Sequence, residues 1–133
     1  MPIVRRATLV TPNLAEAAML SGMAVVCSLD QAKEAAARIC AAGARAVLIK
    51  GGHLEGDPTD VLLAGGAIRV WRSPRVPGPN PRGTGCALAT AIAVGLARGN
   101  CLDDAIGAAR SWLVEQIAAA RAVGDEYHLP GAT

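Results

Sequence analysis

Four consecutive apolar residues, Ala46-Val47-Leu48-Ile49, run without a break into Lys50-Gly51-Gly52-His53. The run has no polar position to give to water, so a strand built from it must be covered on both faces, as in a parallel sheet. The rest of the chain offers that cover. Residues 31–42 read as a helix capped by Asp30 and ended by Gly43, with Ala32, Ala35, Ala36, Ile39 and Cys40 on one face. Residues 14–20 read as a shorter helix stopped by Ser21-Gly22. Residues 87–97 read as an alanine-rich helix ending near Gly99-Asn100. Residues 102–123 read as a final amphipathic helix with Leu102, Ile106, Ala109, Leu113 and Ile117 on its core stripe. Ala7-Thr8-Leu9-Val10 gives a second buried strand. Residues 60–63 and 68–71 flank Ala64-Gly65-Gly66-Ala67, and paired glycines accept the positive φ of a two-residue hairpin turn. The tail from Gly124 is expected to be loosely ordered. Strand and helix alternate, so the expected class is α/β, a mostly parallel sheet with one β-hairpin. At 133 residues, a single domain over 1–133 is the expectation.

Composition narrows the partners. Apolar residues make up 52% of the chain, Phe is absent, and Trp71, Trp112 and Tyr127 are the only aromatics. The core is therefore built from Ala, Val, Leu and Ile. The net charge of +2 is spread over interspersed signs, with no basic run and no aromatic series, which argues against nucleic-acid binding. No apolar run has the length of a bilayer span. Met1-Pro2-Ile3-Val4-Arg5-Arg6 lacks the apolar stretch of a secretory signal. Cysteines at 27, 40, 86 and 101 form no C-x-x-C pair and have no metal-ligand spacing. A reduced, cytoplasmic protein is expected.

Three segments carry chemistry, each at the carboxyl end of an expected strand or the mouth of a helix, where ligands of α/β sheets bind. Arg82-Gly83-Thr84-Gly85-Cys86 follows a loop stiffened by four prolines, residues 73–81, and opens the alanine-rich helix. Two glycines there let the backbone turn tightly and aim free N–H groups outward, a ready anion site at a positive helix end. The plainer alternative is a cap, with Thr84 as the capping hydroxyl and Cys86 as core filling. Thr11-Pro12-Asn13-Leu14-Ala15-Glu16 sets an amide and a carboxylate three residues apart, able to hold a hydrated Mg²⁺. The same spacing is that of a capping box. Lys50 ends the apolar strand as a point charge for phosphate, or as a solvated lysine. His53 reads as structural, and Asp60 either closes a loop near a nucleotide or serves a turn.

Thr11-Pro12-Asn13-x-x-Glu16, Val47-Leu48-Ile49-Lys50-Gly51-Gly52-His53 and Gly83-Thr84-Gly85-Cys86, in this order and spacing, resemble the ribokinase-like kinases. Within them the chain is most similar to the hydroxymethylpyrimidine/phosphomethylpyrimidine kinases of thiamine biosynthesis. Pyridoxal kinases are near neighbours that usually carry Asp where this chain has Cys86. The resemblance implies a three-layer ribokinase-like sandwich. It also implies ATP-dependent phosphorylation of 4-amino-5-hydroxymethyl-2-methylpyrimidine and then of its monophosphate. By position, it makes Cys86 the activator of the attacking hydroxyl, a role that needs a thiol pKa lowered by the helix end. Gly83, Thr84 and Gly85 would form the anion hole, and Lys50, Asn13 and Arg82 would contact ATP phosphates. Asn13 and Glu16 would order Mg²⁺ through water.

The chain departs from the pattern at three points. Arg82 stands where relatives commonly have His. Ala87 and Ala89 stand where they often have hydroxyl residues. Its length matches only the C-terminal, ATP and catalytic-loop half, whereas the pyrimidine pocket comes mostly from the other half. A half-sheet leaves an open edge and apolar faces, so a homodimer or higher homo-oligomer is expected. The alternatives are a non-catalytic remnant that binds nucleotide or phosphate, an oligomeric structural module, and a pyridoxal kinase-like enzyme.

Overall fold

The computed structural model describes residues 8–51, 59–72, 84–119, 121–123 and 126–128. The chain divides into two compact units, Met1–Arg75 and Val76–Thr133, beside the expectation of one domain.

The first unit holds helices α1 (Leu14–Ser21) and α2 (Leu29–Ala41) and strands β1 (Ala46–Gly51), β2 (Thr59–Ala64) and β3 (Ala67–Arg72). The sheet runs β1-β2-β3, and both ladders are antiparallel. Parallel pairing occurs on the far edge of β1, as the bridges Val10–Val47 and Asn13–Lys50. There Leu48 N–H donates to Val10 O (2.8 Å) and Lys50 N–H to Pro12 O (2.9 Å). Among the described residues, then, the ladders run opposite to the mostly parallel expectation. The reason is the connection. Residues 52–58 between β1 and β2 are fewer than the dozen or so that a parallel crossover needs. An apolar run reports burial on two faces and says nothing of strand direction.

Burial follows the expected pattern. Val47, Leu48 and Ile49 are fully buried. On one face Val47, Ile49 and Val61 join Ala17, Ala32, Ala35, Ala36 and Ile39 in a single core cluster. The alanines let α2 lie close to the sheet, while Ile39 supplies bulk, its burial contributing roughly 1.5–3 kcal/mol. Leu48 and Leu62 are buried on the opposite face. The hairpin forms as read: Gly65 (φ 58°) and Gly66 (φ 80°) take positive φ, and Ala64 pairs with Ala67. Among the described residues no strand pairs with the outer side of β3, where Ile68 and Val70 are exposed and the Arg69 guanidinium lies 5.2 Å from the Trp71 ring centre.

The start of α2 corrects the sequence reading. Ser28, not Asp30, is the N-cap: its Oγ accepts from Gln31 N–H at 3.1 Å, and Asp30 lies in the first turn. Gln31 Oε1 reaches back to accept from Cys27 N–H at 2.8 Å. Two side chains thus satisfy donors at this helix start.

The second unit holds α3 (Thr84–Ala97), α4 (Leu102–Ala118), β4 (Arg121–Val123) and β5 (Glu126–His128). α3 and α4 pack as a pair through small residues. A Cβ on Gly95 would stand 3.1 Å from Ala105 Cβ, so glycine is what permits the approach. Leu88, Ile92, Ala105, Ile106 and Ala109 are buried. The final helix was expected to reach Val123, but it stops at Ala118, and β4 pairs antiparallel with β5. Within the tail from Gly124, residues 126–128 form a strand where loose chain was expected. Val123 pairs with Glu126, with Gly124-Asp125 between them in sequence. Among the described residues no helix is long and apolar enough to cross a membrane.

Candidate active site

In the first unit the expected residues gather where β1 ends. Asn13 is bridged to Lys50 in parallel register, and Lys50 N–H is held by Pro12 O. This places the start of α1 beside the end of β1. Asn13 also caps α1. Its Oδ1 accepts from Glu16 N–H (2.8 Å), and its own N–H donates to Glu16 Oε1 (2.9 Å). The capping box weighed against a metal role is therefore formed. Both residues are exposed. The box engages one oxygen of each, which leaves the second carboxylate oxygen of Glu16. That donor set suits an outer contact to the water of a hydrated Mg²⁺, an ion that keeps most of its waters. It does not make a multidentate cage, and among the described residues no group of three or more His, Cys, Asp or Glu could hold a metal ion.

Lys50 is half-buried. Directly across the ladder stands Asp60, on the same face of the sheet and only 8% exposed. Its Oδ1 accepts from Gly51 N–H at 3.0 Å. Sequence reasoning placed Asp60 in a hairpin arm and left its role between closing a loop and serving a turn; its carboxylate holds the end of β1. The available signal was its apolar context, because an acidic residue opening the run Val61-Leu62-Leu63 is half-committed to burial and needs a partner. His53 lies outside the described residues.

In the second unit, α3 opens at Thr84. Thr84 is thus already helical rather than the cap, and Gly85 follows it in the first turn. Cys86 is the third helical residue and is exposed. Exposure removes the core-filling reading of Cys86. No acidic residue sits in this first turn, so the helix end keeps its positive polarity. Arg82 and Gly83 lie outside the described residues. All four cysteines are free. Burial pushes the Cys40 thiol pKa up, and its Sγ lies 3.9 Å from Leu63 O.

The sequence profile of the family described as phosphomethylpyrimidine kinase matches residues 2–131. The chain belongs to that family. It is 43% identical over 118 residues to the hydroxymethylpyrimidine/phosphomethylpyrimidine kinase of Streptomyces coelicolor, covering 89% of this chain and 44% of that one. It is 44% identical over 119 residues to the thiamine biosynthesis bifunctional protein ThiED of Geobacter sulfurreducens, covering 89% of this chain and 24% of that protein. The chain thus spans less than half the length of these curated relatives. Among solved structures it superposes on an ADP complex of Bacillus subtilis pyridoxal kinase with a TM-score of 0.90 at 34% identity, covering 96% of this chain and 49% of that one. On the phosphomethylpyrimidine kinase of Clostridium difficile the TM-score is 0.71 at 29% identity, covering 85% of this chain and 44% of that one. The α/β fold is therefore that of the ribokinase-like kinases, and the described elements are a fragment of it.

Proposed function

We propose that this chain is the catalytic-loop portion of an ATP-dependent kinase that phosphorylates 4-amino-5-hydroxymethyl-2-methylpyrimidine and then its monophosphate. Membership of the phosphomethylpyrimidine kinase family over residues 2–131 carries this reading. The residues fit the roles. Cys86, exposed in the first turn of α3, would take the proton of the attacking hydroxyl. The backbone N–H groups of Gly83, Thr84 and Gly85 would meet the charge developing on the transferred phosphoryl group. Lys50 would contact an ATP phosphate as a point charge, with Arg82 as a bidentate partner. Glu16, positioned by Asn13, would hold a water of Mg²⁺, whose charge neutralises the phosphates. A cytoplasmic site, rich in ATP and reducing enough to keep four free cysteines reduced, suits the same reading.

A homodimer is part of this proposal. The exposed Ile68 and Val70 on strand β3 leave apolar surface that a second copy would cover. Sedimentation at micromolar concentration is expected to show a dimer or larger, and a stable monomer would overturn it.

The pyridoxal kinase-like alternative draws on the close superposition with the Bacillus subtilis enzyme. One experiment separates the readings: ATP turnover by the full chain, at defined Mg²⁺, with the hydroxymethylpyrimidine and with pyridoxal in parallel. Faster turnover of the pyrimidine supports the proposal. Faster turnover of pyridoxal replaces it. Nucleotide binding with neither turnover identifies a non-catalytic binding remnant.

A further inference from the structure

The hydrogen bonds of β1 alternate. Leu48 and Lys50 direct their N–H groups to Val10 and Pro12, so the intervening residues face β2. Gly51 is the last of these. Its N–H is met by a side chain, Asp60 Oδ1, at 3.0 Å. Asp60 is buried, it stands opposite Lys50 in register, and the two side chains share a face. A buried carboxylate costs several kcal/mol unless it is hydrogen-bonded. An apolar pair could have stood here, since the preceding rungs Val47–Leu63, Leu48–Leu62 and Ile49–Val61 are all apolar. A carboxylate on the rung of Lys50 itself fixes the backbone of Gly51, immediately after that lysine.

We propose that Asp60 is a positioning residue for phosphate binding: by holding Gly51 N–H it fixes the end of β1, and so the backbone that carries Lys50. The inference rests on the reading of Lys50 as a phosphate contact. Asp60 itself touches no substrate. Its carboxylate also stands across the ladder from Lys50, on the same face of the sheet.

The test is calorimetric binding of the ATP analogue AMP-PCP with Mg²⁺ to the full chain, beside its melting temperature. Asp60→Ala is expected to weaken binding about tenfold, the scale of one lost hydrogen bond to a charged group. Asp60→Asn keeps an oxygen for Gly51 and is expected to stay within about threefold of the wild type. Lys50→Met should weaken binding, and Asp60→Ala should add little in that background, because the two residues act through one another. If Asp60→Ala does not fold, Asp60→Ser, too short to reach Gly51, replaces it with the same expectation. A purely structural Asp60 lowers the melting temperature and leaves affinity unchanged; that result overturns the proposal, as does full additivity with Lys50→Met, and both leave Lys50 in place. If Lys50→Met binds as the wild type does, or the wild type binds no analogue, the phosphate reading of Lys50 falls and the proposal falls with it.

Discussion

α1 and α3 open in different ways at the same point. In each, the third helical residue bears a functional group: Glu16 in α1, Cys86 in α3. Glu16 turns back and accepts the N–H of Asn13, while Asn13 accepts the N–H of Glu16. The eight-residue α1 spends its positive end on its own side chains, as a helix too short to persist alone must. α3 is fourteen residues long and brings no carboxylate to its first turn. Its far end is instead held by the close approach of Gly95 to Ala105. The same backbone polarity is met in α1 by a cap from its own side chains, while in α3 no carboxylate of the first turn meets it.

This contrast can be broken experimentally. Cys86→Ala should lower kcat about 10²-fold or more, as loss of a positioned base does. Because Cys86 is exposed, the same change should move stability by no more than about 0.5 kcal/mol. Cys86→Asp should retain more turnover than Cys86→Ala, which stopped-flow assays of both variants would show. If Cys86→Ala leaves turnover intact, the open helix end has no catalytic side chain at this position.

Gly95→Val probes how α3 is held. Overpacking against Ala105 should cost about 1–3 kcal/mol in chemical denaturation. An unchanged midpoint would mean that α3 is anchored elsewhere. At α1, Asn13→Ala should cost about 1 kcal/mol by removing the cap acceptor. Glu16→Gln keeps an oxygen for Asn13 N–H and removes the charge, so its stability loss should be smaller, about 0.3–1 kcal/mol. A several-fold rise in the Mg²⁺ needed for half-maximal turnover in Glu16→Gln would show that Glu16 serves the metal as well as the cap.

The sequence could be read wherever a local pattern decides the outcome. The spacing of Ala32, Ala35, Ala36 and Ile39 marked the buried face of α2, and all four are fully buried. Gly65-Gly66 marked the hairpin because only such residues take two positive φ values cheaply. Reading failed where two local signals competed or where the answer lay in a distant partner. Ser28 and Asp30 are both good caps; Ser28-x-x-Gln31 was the better signature, because Gln31 can reach back across the helix start. Ala119 and Ala122 are strong helix formers, yet α4 stops at Ala118 and Ala122 pairs with Tyr127. Asn13 and Glu16 were found as a pair, but their spacing serves a cap and a metal equally. Asp60 escaped assignment because its partner, Gly51, is set by register across the ladder, which no local window contains.

That register also limits which insertions and deletions this chain can accept. Lys50 and Asp60 share a face because the β1–β2 ladder sets them directly opposite each other. Adding one residue within β2 would turn Asp60 to the other face and carry Val61 out of the core cluster. Adding two would restore both faces. Length variation inside this strand is therefore tolerated by parity. Homologous sequences aligned through β2 should differ in length there by even steps or by none.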